Sequence, residues 1–168
     1  MNSIISTNTE IFNSLESLKQ KRSAGQCFSV PLNSNGIQVE DCTYSIFNPI
    51  GSNKTLYIYQ LFISGQTSNA LMSININSFT GYTTPGTLFI PHNVKFGHAY
   101  NSVMECFREG TLNSIKSFEN ARVKSDANPL IIDFQEEIIE IPEGNGLSVR
   151  VYSGSTVGGG VNFRFYEQ

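Results

Sequence analysis

Residues Glu136 to Gln168 constrain this chain more tightly than any other stretch. In Leu147-Ser-Val-Arg-Val-Tyr152 and Val161-Asn-Phe-Arg-Phe-Tyr166, apolar and polar residues alternate one for one. Successive strand residues point to opposite faces, so this period buries one face and solvates the other. A third apolar run, Glu137-Ile-Ile-Glu-Ile-Pro142, precedes them across Glu143-Gly-Asn-Gly146, where Asn-Gly is a strong tight-turn signal. A glycine-rich bend, Gly154 to Gly160, joins the two alternating runs and reads as a hairpin connection. The chain is expected to end inside a β-sheet.

The same grammar fills most of what comes before. Cys27 to Leu32 and Ile37 to Phe47 read as strands separated by the turn Asn33-Ser-Asn-Gly36. Asn48-Pro-Ile-Gly-Ser-Asn53 is loop punctuation. It leads into Thr55-Leu-Tyr-Ile-Tyr-Gln-Leu-Phe-Ile63, where both alternating sets are apolar: Leu56, Ile58, Phe62 against Tyr57, Tyr59, Leu61, Ile63. Such a strand is either covered on both sides or gives one face to a partner, which makes Tyr57, Tyr59 and Leu61 candidate interface residues. Leu71 to Ile76 and Thr87 to Pro91 read as strands, with loops at Asn77–Gly86 and His92–Asn101. Ser102–Arg108 and Asn113–Phe118 read as a pair around Glu109-Gly110. Glu119–Asn128 is charged and expected to be exposed, and Pro129–Phe134 resumes the sheet.

Only the first segment departs from this pattern. Thr9 to Arg22 places Ile11, Leu15 and Leu18 at helical spacing, with Glu10 in the first turn and Lys21 and Arg22 in the last, and Ser23-Ala-Gly25 ends it. A helix this short needs something to pack on. It either covers its own domain or docks on a neighbouring subunit, so Ile11, Leu15 and Leu18 join the candidate interface. The expected architecture is all-β: an N-terminal arm and amphipathic helix over 1–25, then an antiparallel β-sandwich over 26–168. With roughly nine or ten short strands and no βαβ alternation, a two-sheet jelly roll fits best, an immunoglobulin-like sandwich being the alternative.

Composition narrows the function classes. A chain of 168 residues is long enough for one domain with a substantial core. Charged residues make up only 15% of it, and charge depletion is characteristic of interface cores, which points to a homo-oligomer. The net charge of -3 leaves no basic footprint for nucleic acid beyond Lys19, Lys21 and Arg22. No run is long enough to span a membrane, and Met1–Ile5 lacks the features of a signal peptide. Cys27, Cys42 and Cys106, odd in number and widely spaced, suit buried hydrophobes in a reducing compartment rather than disulfides.

No catalytic, cofactor or metal constellation emerges. His92 and His98 lack the further ligands that zinc needs. Cys106 has no histidine near it in sequence. Glu136 and Glu137, adjacent on a strand, would point to opposite faces and could not converge on one glycosidic bond. Gly158-Gly-Gly160 has neither the lysine nor the following helix of a phosphate loop. Asn53-Lys-Thr55 matches a glycosylation sequon without a secretion signal, and the Asn/Asp-rich loops lack the acidic density of a calcium site.

Two stretches carry a resemblance. Asn48-Pro-Ile-Gly-Ser-Asn-Lys-Thr-Leu-Tyr-Ile-Tyr59 resembles an N-P-x-G-S-x-K-x-L-x-I entry into a strand. Ile138 to Tyr152, followed by Val161 to Glu167, resembles an I-x-P-x-G-x-x-L-x-V-x-V … V-N-x-x-x-x-E ending. Both patterns are similar to those of small structural proteins of tailed bacteriophages, as is the segment with Thr84-Pro-Gly-Thr87 and Ile90-Pro-His-Asn93. The resemblance covers most of Cys42 to Glu167, omits the N-terminal helix and carries over no catalytic residue. It implies a non-enzymatic, jelly-roll-like auxiliary head, neck or tail subunit of a virion, assembled in the host cytoplasm. Its partners would be copies of itself and other virion proteins. The alternative is a carbohydrate- or receptor-binding jelly roll that uses loop residues Tyr82, His98 and Tyr100 on a host-surface glycan. A cytokine-like cell-surface trimer would need a secretion route that the sequence does not display.

Overall fold

Alternation of apolar and polar residues gives, among the described residues, fifteen strands: β1 (Cys27–Asn33), β2 (Val39–Asn48), β3 (Leu56–Gly65), β4 (Leu71–Phe79), β5 (Tyr82–Thr84), β6 (Thr87–Phe89), β7 (His92–Asn93), β8 (Glu105–Arg108), β9 (Thr111–Leu112), β10 (Lys116–Ser117), β11 (Ser125–Asp126), β12 (Leu130–Asp133), β13 (Ile139–Ile141), β14 (Asn145–Val157) and β15 (Gly159–Glu167). The computed structural model describes residues 16–33, 39–65, 71–117, 125–126, 130–134, 138–157 and 159–168. Ile11, Leu15, Glu136, Glu137, Gly158 and most of Glu119–Asn128 lie outside them.

Two antiparallel sheets pack together, so the all-β expectation holds. Sheet A runs β12-β3-β15-β1-β7, with β13 beside β12 along the same edge of β3. Sheet B runs β10-β4-β14-β2-β8-β6, with β11 also on β4, and β5 and β9 form a small third sheet. Between the two large sheets lies one core: Phe28, Val30, Ile58, Leu61, Phe163 and Phe165 from sheet A meet Tyr44, Ile46, Ile74, Cys106, Val149 and Val151 from sheet B.

The terminal stretch is strand as expected, but its connections are not hairpins. β13 pairs with β3 in sheet A, whereas β14 lies between β2 and β4 in sheet B. Glu143-Gly144, with Gly144 at φ 73°, therefore turns a corner between sheets. β14 then hands over to β15, which lies between β1 and β3 in sheet A. A strand buried between two partners on each side is better satisfied than a two-stranded ribbon, so the chain alternates sheets. The expected pairing of Ser102–Arg108 with Asn113–Phe118 also fails, because β8 pairs with β2 and β6 while β10 pairs with β4.

A bulge corrects the reading of the doubly apolar strand. Ile58 sits opposite Phe165 and Gln60 opposite Arg164, so Tyr59 is an extra residue in β3. One extra residue reverses which face the following side chains occupy. Leu56 and Ile58 before it, and Leu61 and Ile63 after it, all face the core with exposures of 0–2%. Leu61 is thus a core residue in this chain, not a partner-facing one.

The described part of the helix, 16–23, ends where Ser23–Gly25 predicts. The Gln26 and Gly25 amides donate to the Lys21 and Arg22 carbonyls, with Gly25 at φ 72° as the left-handed cap. It lies over its own sheet A. Lys21 Nζ stands 5.6 Å from the Tyr166 ring and donates to Gln168, and the outward-facing Cys27 and Tyr166 are buried. Leu18 is half-buried there.

Candidate binding groove

The two stretches that carried the family resemblance meet in space. Asn48, wholly buried, donates from Nδ2 to the Lys54 and Ile141 carbonyls at 2.8 and 3.1 Å, and its Oδ1 accepts from Ser52. The Glu143 carboxylate accepts from the Gly51 and Asn53 amides and the Ser52 hydroxyl. Gly144 N donates to Asn48 O at 2.9 Å. The motif residues therefore lock two loops at one end of the sandwich. They satisfy backbone groups that would otherwise be orphaned, which explains their pattern without any chemistry.

Sheet B carries a second small core on its outer face. Phe47, Phe79 and Phe107 point outward there, and the small β5–β9 sheet lays Tyr82 among them, with ring centroids 4.7–5.7 Å apart. The Tyr82 hydroxyl bonds to buried Ser45 at 2.9 Å. Beyond this small sheet the outer face of sheet B is polar. Between the two runs a groove of about 320 Å³.

Its floor follows from register. Asn77 on β4 is opposite Ser148 on β14, and Arg150 on β14 is opposite Thr43 on β2. Alternation sends all four outward. Arg150 Nε donates to both Asp41 oxygens at 2.8 and 3.0 Å, and Nη2 also donates to Oδ2. That hydrogen bond from Arg150 holds the Asp41 carboxyl below its ordinary range. The other wall comes from Glu109 (φ 63°) and Gly110 in the turn between β8 and β9, then Leu112 on β9 and Ile115 beyond it. Ile115 is 56% exposed.

None of the expected interface residues that the structure describes, Leu18, Tyr57, Tyr59 and Leu61, lies in this groove. Tyr57, half-buried on sheet A, stacks on Tyr166 at 4.7 Å; Tyr59 sits half-buried at the bulge, its hydroxyl pushed up to about 12 by burial. The loop residues considered for sugar stacking are also elsewhere. Tyr82 is locked in the outer aromatic cluster, and the His98 ring packs where a Cβ on Gly25 would stand 2.6 Å away. Tyr100 is exposed at the far end, near Lys54. Asp41, Asn77, Ser148 and Arg150 were visible in the sequence only as outward positions of separate strands. No local spacing joins residues 41, 77 and 150; only strand order does.

Exposed apolar side chains are concentrated instead in the segment between β5 and β8. Of the eight large exposed hydrophobics among the described residues, Leu88, Ile90, Phe96, Tyr100 and Val103 come from this one insertion.

Among the described residues no three His, Cys, Asp or Glu side chains group to hold a metal, and no helix is long and apolar enough to cross a membrane. Cys27, Cys42 and Cys106 are free and no more than 4% exposed. Burial pushes the first two up to about 11 and raises Cys106 further from ionisation. Because the thiolate is the reactive form, labelling by a disulfide reagent at pH 8 should run on the order of 100-fold slower than for a free thiol. All three thiols should react at once in denaturant; rapid labelling of the folded protein would contradict this burial.

Besides Arg108, 5% exposed, the charged residue buried among the described residues is Glu167, 1% exposed. Its Oε1 accepts from the Ser102 hydroxyl and the Val103 amide, while Oε2 has no partner. Burial raises its pKa above the ordinary 4.5. The folded state therefore holds this proton to higher pH than the unfolded chain, and the associated stability is lost as pH rises through the raised value. Urea midpoints of the wild type should fall relative to Glu167→Gln as pH rises from about 4.5 toward neutrality. Parallel profiles would refute it.

Set against family models, curated proteins and solved structures, the chain matches none of them.

Proposed function

We propose that this chain is a non-enzymatic structural subunit of a bacteriophage virion, an auxiliary head, neck or tail protein built on a jelly roll. It works by packing against copies of itself and other virion proteins after assembly in the host cytoplasm. The observation that carries this reading is the gathering of five exposed apolar side chains on the 88–103 insertion. Scattered surface hydrophobics are ordinary, but a grouped set on one segment marks an interaction surface.

The strand order supports the jelly-roll part. With β10 and β11 taken as one edge strand and β12 and β13 as another, the chain has eight principal strands. Sheet A then orders them sixth, third, eighth, first, and sheet B fifth, fourth, seventh, second. That order supports reading the sandwich as a double Greek-key jelly roll. The insertion lies between the fourth and fifth strands. Three reduced, buried thiols suit cytoplasmic assembly. The phage assignment itself rests on the resemblance of Asn48–Tyr59 and Ile138–Glu167.

Native mass measurement at micromolar concentration tests the reading. A closed homo-oligomer is the expected result, since most soluble oligomers are symmetric and closed. A clean monomer would remove its main support.

A further inference from the structure

The groove on sheet B has two walls of different chemistry. One side is the sheet itself, where Asp41, Asn77, Ser148 and Arg150 present carboxylate, amide, hydroxyl and guanidinium groups across three neighbouring strands. The other side, from β9 and the residues after it, offers half-buried Leu112 and exposed Ile115. A ligand that fills it must be ringed with hydroxyls on one side and carry a C–H surface on the other. A pyranose ring has this form.

We propose that this groove is a saccharide-binding site for one or two neutral sugar rings. The size agrees, since about 320 Å³ is at the small end of ligand pockets. Charge selects against anions. Arg150 is already engaged by Asp41, and Glu109 adds a second carboxylate at the rim. Phosphate or nucleic acid would meet two cations, Arg150 and Arg108, that each already face a carboxylate, Asp41 and Glu109. Sugar hydroxyls suit the mixture, because they donate to the Asp41 carboxylate, where Arg150 fills three of about four acceptor sites, and accept from the Asn77 amide. The floor is also held in place before any ligand arrives. The Arg150–Asp41 pair ties β14 to β2, and the Ser148 hydroxyl donates to Asn77 O at 3.3 Å, tying β14 to β4. Preorganised polar groups lower the ordering cost of binding. The apolar wall is aliphatic rather than aromatic, so affinity is modest, with a Kd on the order of 1 mM. The site does not depend on the virion reading, and none of its lining residues belongs to the 88–103 insertion.

The test is a titration of the full, isotope-labelled chain, followed by amide chemical shifts, with methyl glycosides of glucose, galactose, mannose and N-acetylglucosamine, and with maltose, cellobiose and lactose. At least one should give saturable shifts centred on Asp41, Asn77, Leu112 and Ser148. Arg150→Ala and, independently, Ile115→Asp should weaken that binding at least 10-fold. Ile115 is exposed, so its replacement leaves the fold intact even if the loss of Arg150 disturbs Asp41. The absence of saturable shifts with every sugar, shifts centred elsewhere, or binding unchanged in both variants would overturn the proposal. Inorganic phosphate giving the same shifts at lower concentration would also overturn it, by making the groove an anion site.

Discussion

Phe163→Ala is expected to destabilise the domain by about 3–5 kcal/mol, the range for truncating a buried aromatic. Phe163 is wholly buried near the middle of sheet A, with Leu61 opposite on β3 and Val30 opposite on β1. Removing its ring leaves a cavity that two paired strands cannot collapse around. Since domains of this size are stable by about 5–15 kcal/mol, the variant should unfold at a much lower urea concentration, with its m-value unchanged. Ile131→Ala is the control: Ile131 is 56% exposed on the same sheet, and its loss should stay within about 0.5 kcal/mol. Equal midpoints for the two variants would mean that the core is not where it has been placed.

Gly86→Ala is the second large expected effect, and its cause is contact rather than cavity. A Cβ at Gly86 would stand 1.8 Å from the Arg108 carbonyl oxygen and 2.7 Å from its carbon. No side chain can move aside, because the obstacle is backbone. The segment leading into β6 must lift from β8, at a cost of about 3 kcal/mol, the upper part of the overpacking range. This change should separate local from global structure. Far-ultraviolet dichroism should keep its β signal, while the β6–β8 amides lose protection and the proposed self-association through the 88–103 insertion weakens. Gly51→Ala makes the comparison, having no atom within 4 Å of the new Cβ but φ at 84°. It should cost only the left-handed backbone strain of about 1–2 kcal/mol.

Much of the sheet content was legible because strand burial writes itself into a period of two. β14 and β15 fall on the stretch that reads Leu147–Tyr152 and Val161–Tyr166, and their inward residues are those that alternation selects. Where the period breaks, the reading breaks with it. One bulged residue at Tyr59 moved Leu61 from the presumed outer set to the core. A bulge costs a single residue and carries no obligatory sequence mark. Likewise, Glu143-Gly144 is a genuine turn, but a turn signal does not say whether the next strand pairs with the last one or crosses to the other sheet. The family-like motifs were visible as spacings, and their physical role, Asn48 and Glu143 clamping two loops together, appears only when residues about ninety positions apart are brought into contact. The groove was the least legible of all. Asp41, Asn77 and Arg150 become neighbours through the order β4-β14-β2, which no local pattern encodes.

In the proposed function the chain works by association, and the 88–103 insertion supplies the surface. Native mass measurement of the Ile90→Asp/Phe96→Asp double variant beside the wild type tests this most directly. Both side chains are highly exposed, at 71% and 103%, so the substitutions should leave the thermal midpoint within a few degrees while placing charge in the contact. The account predicts an oligomeric wild type and a folded, monomeric variant at the same micromolar concentration. A wild type that is already monomeric, or a variant that assembles as well as the wild type, would contradict it.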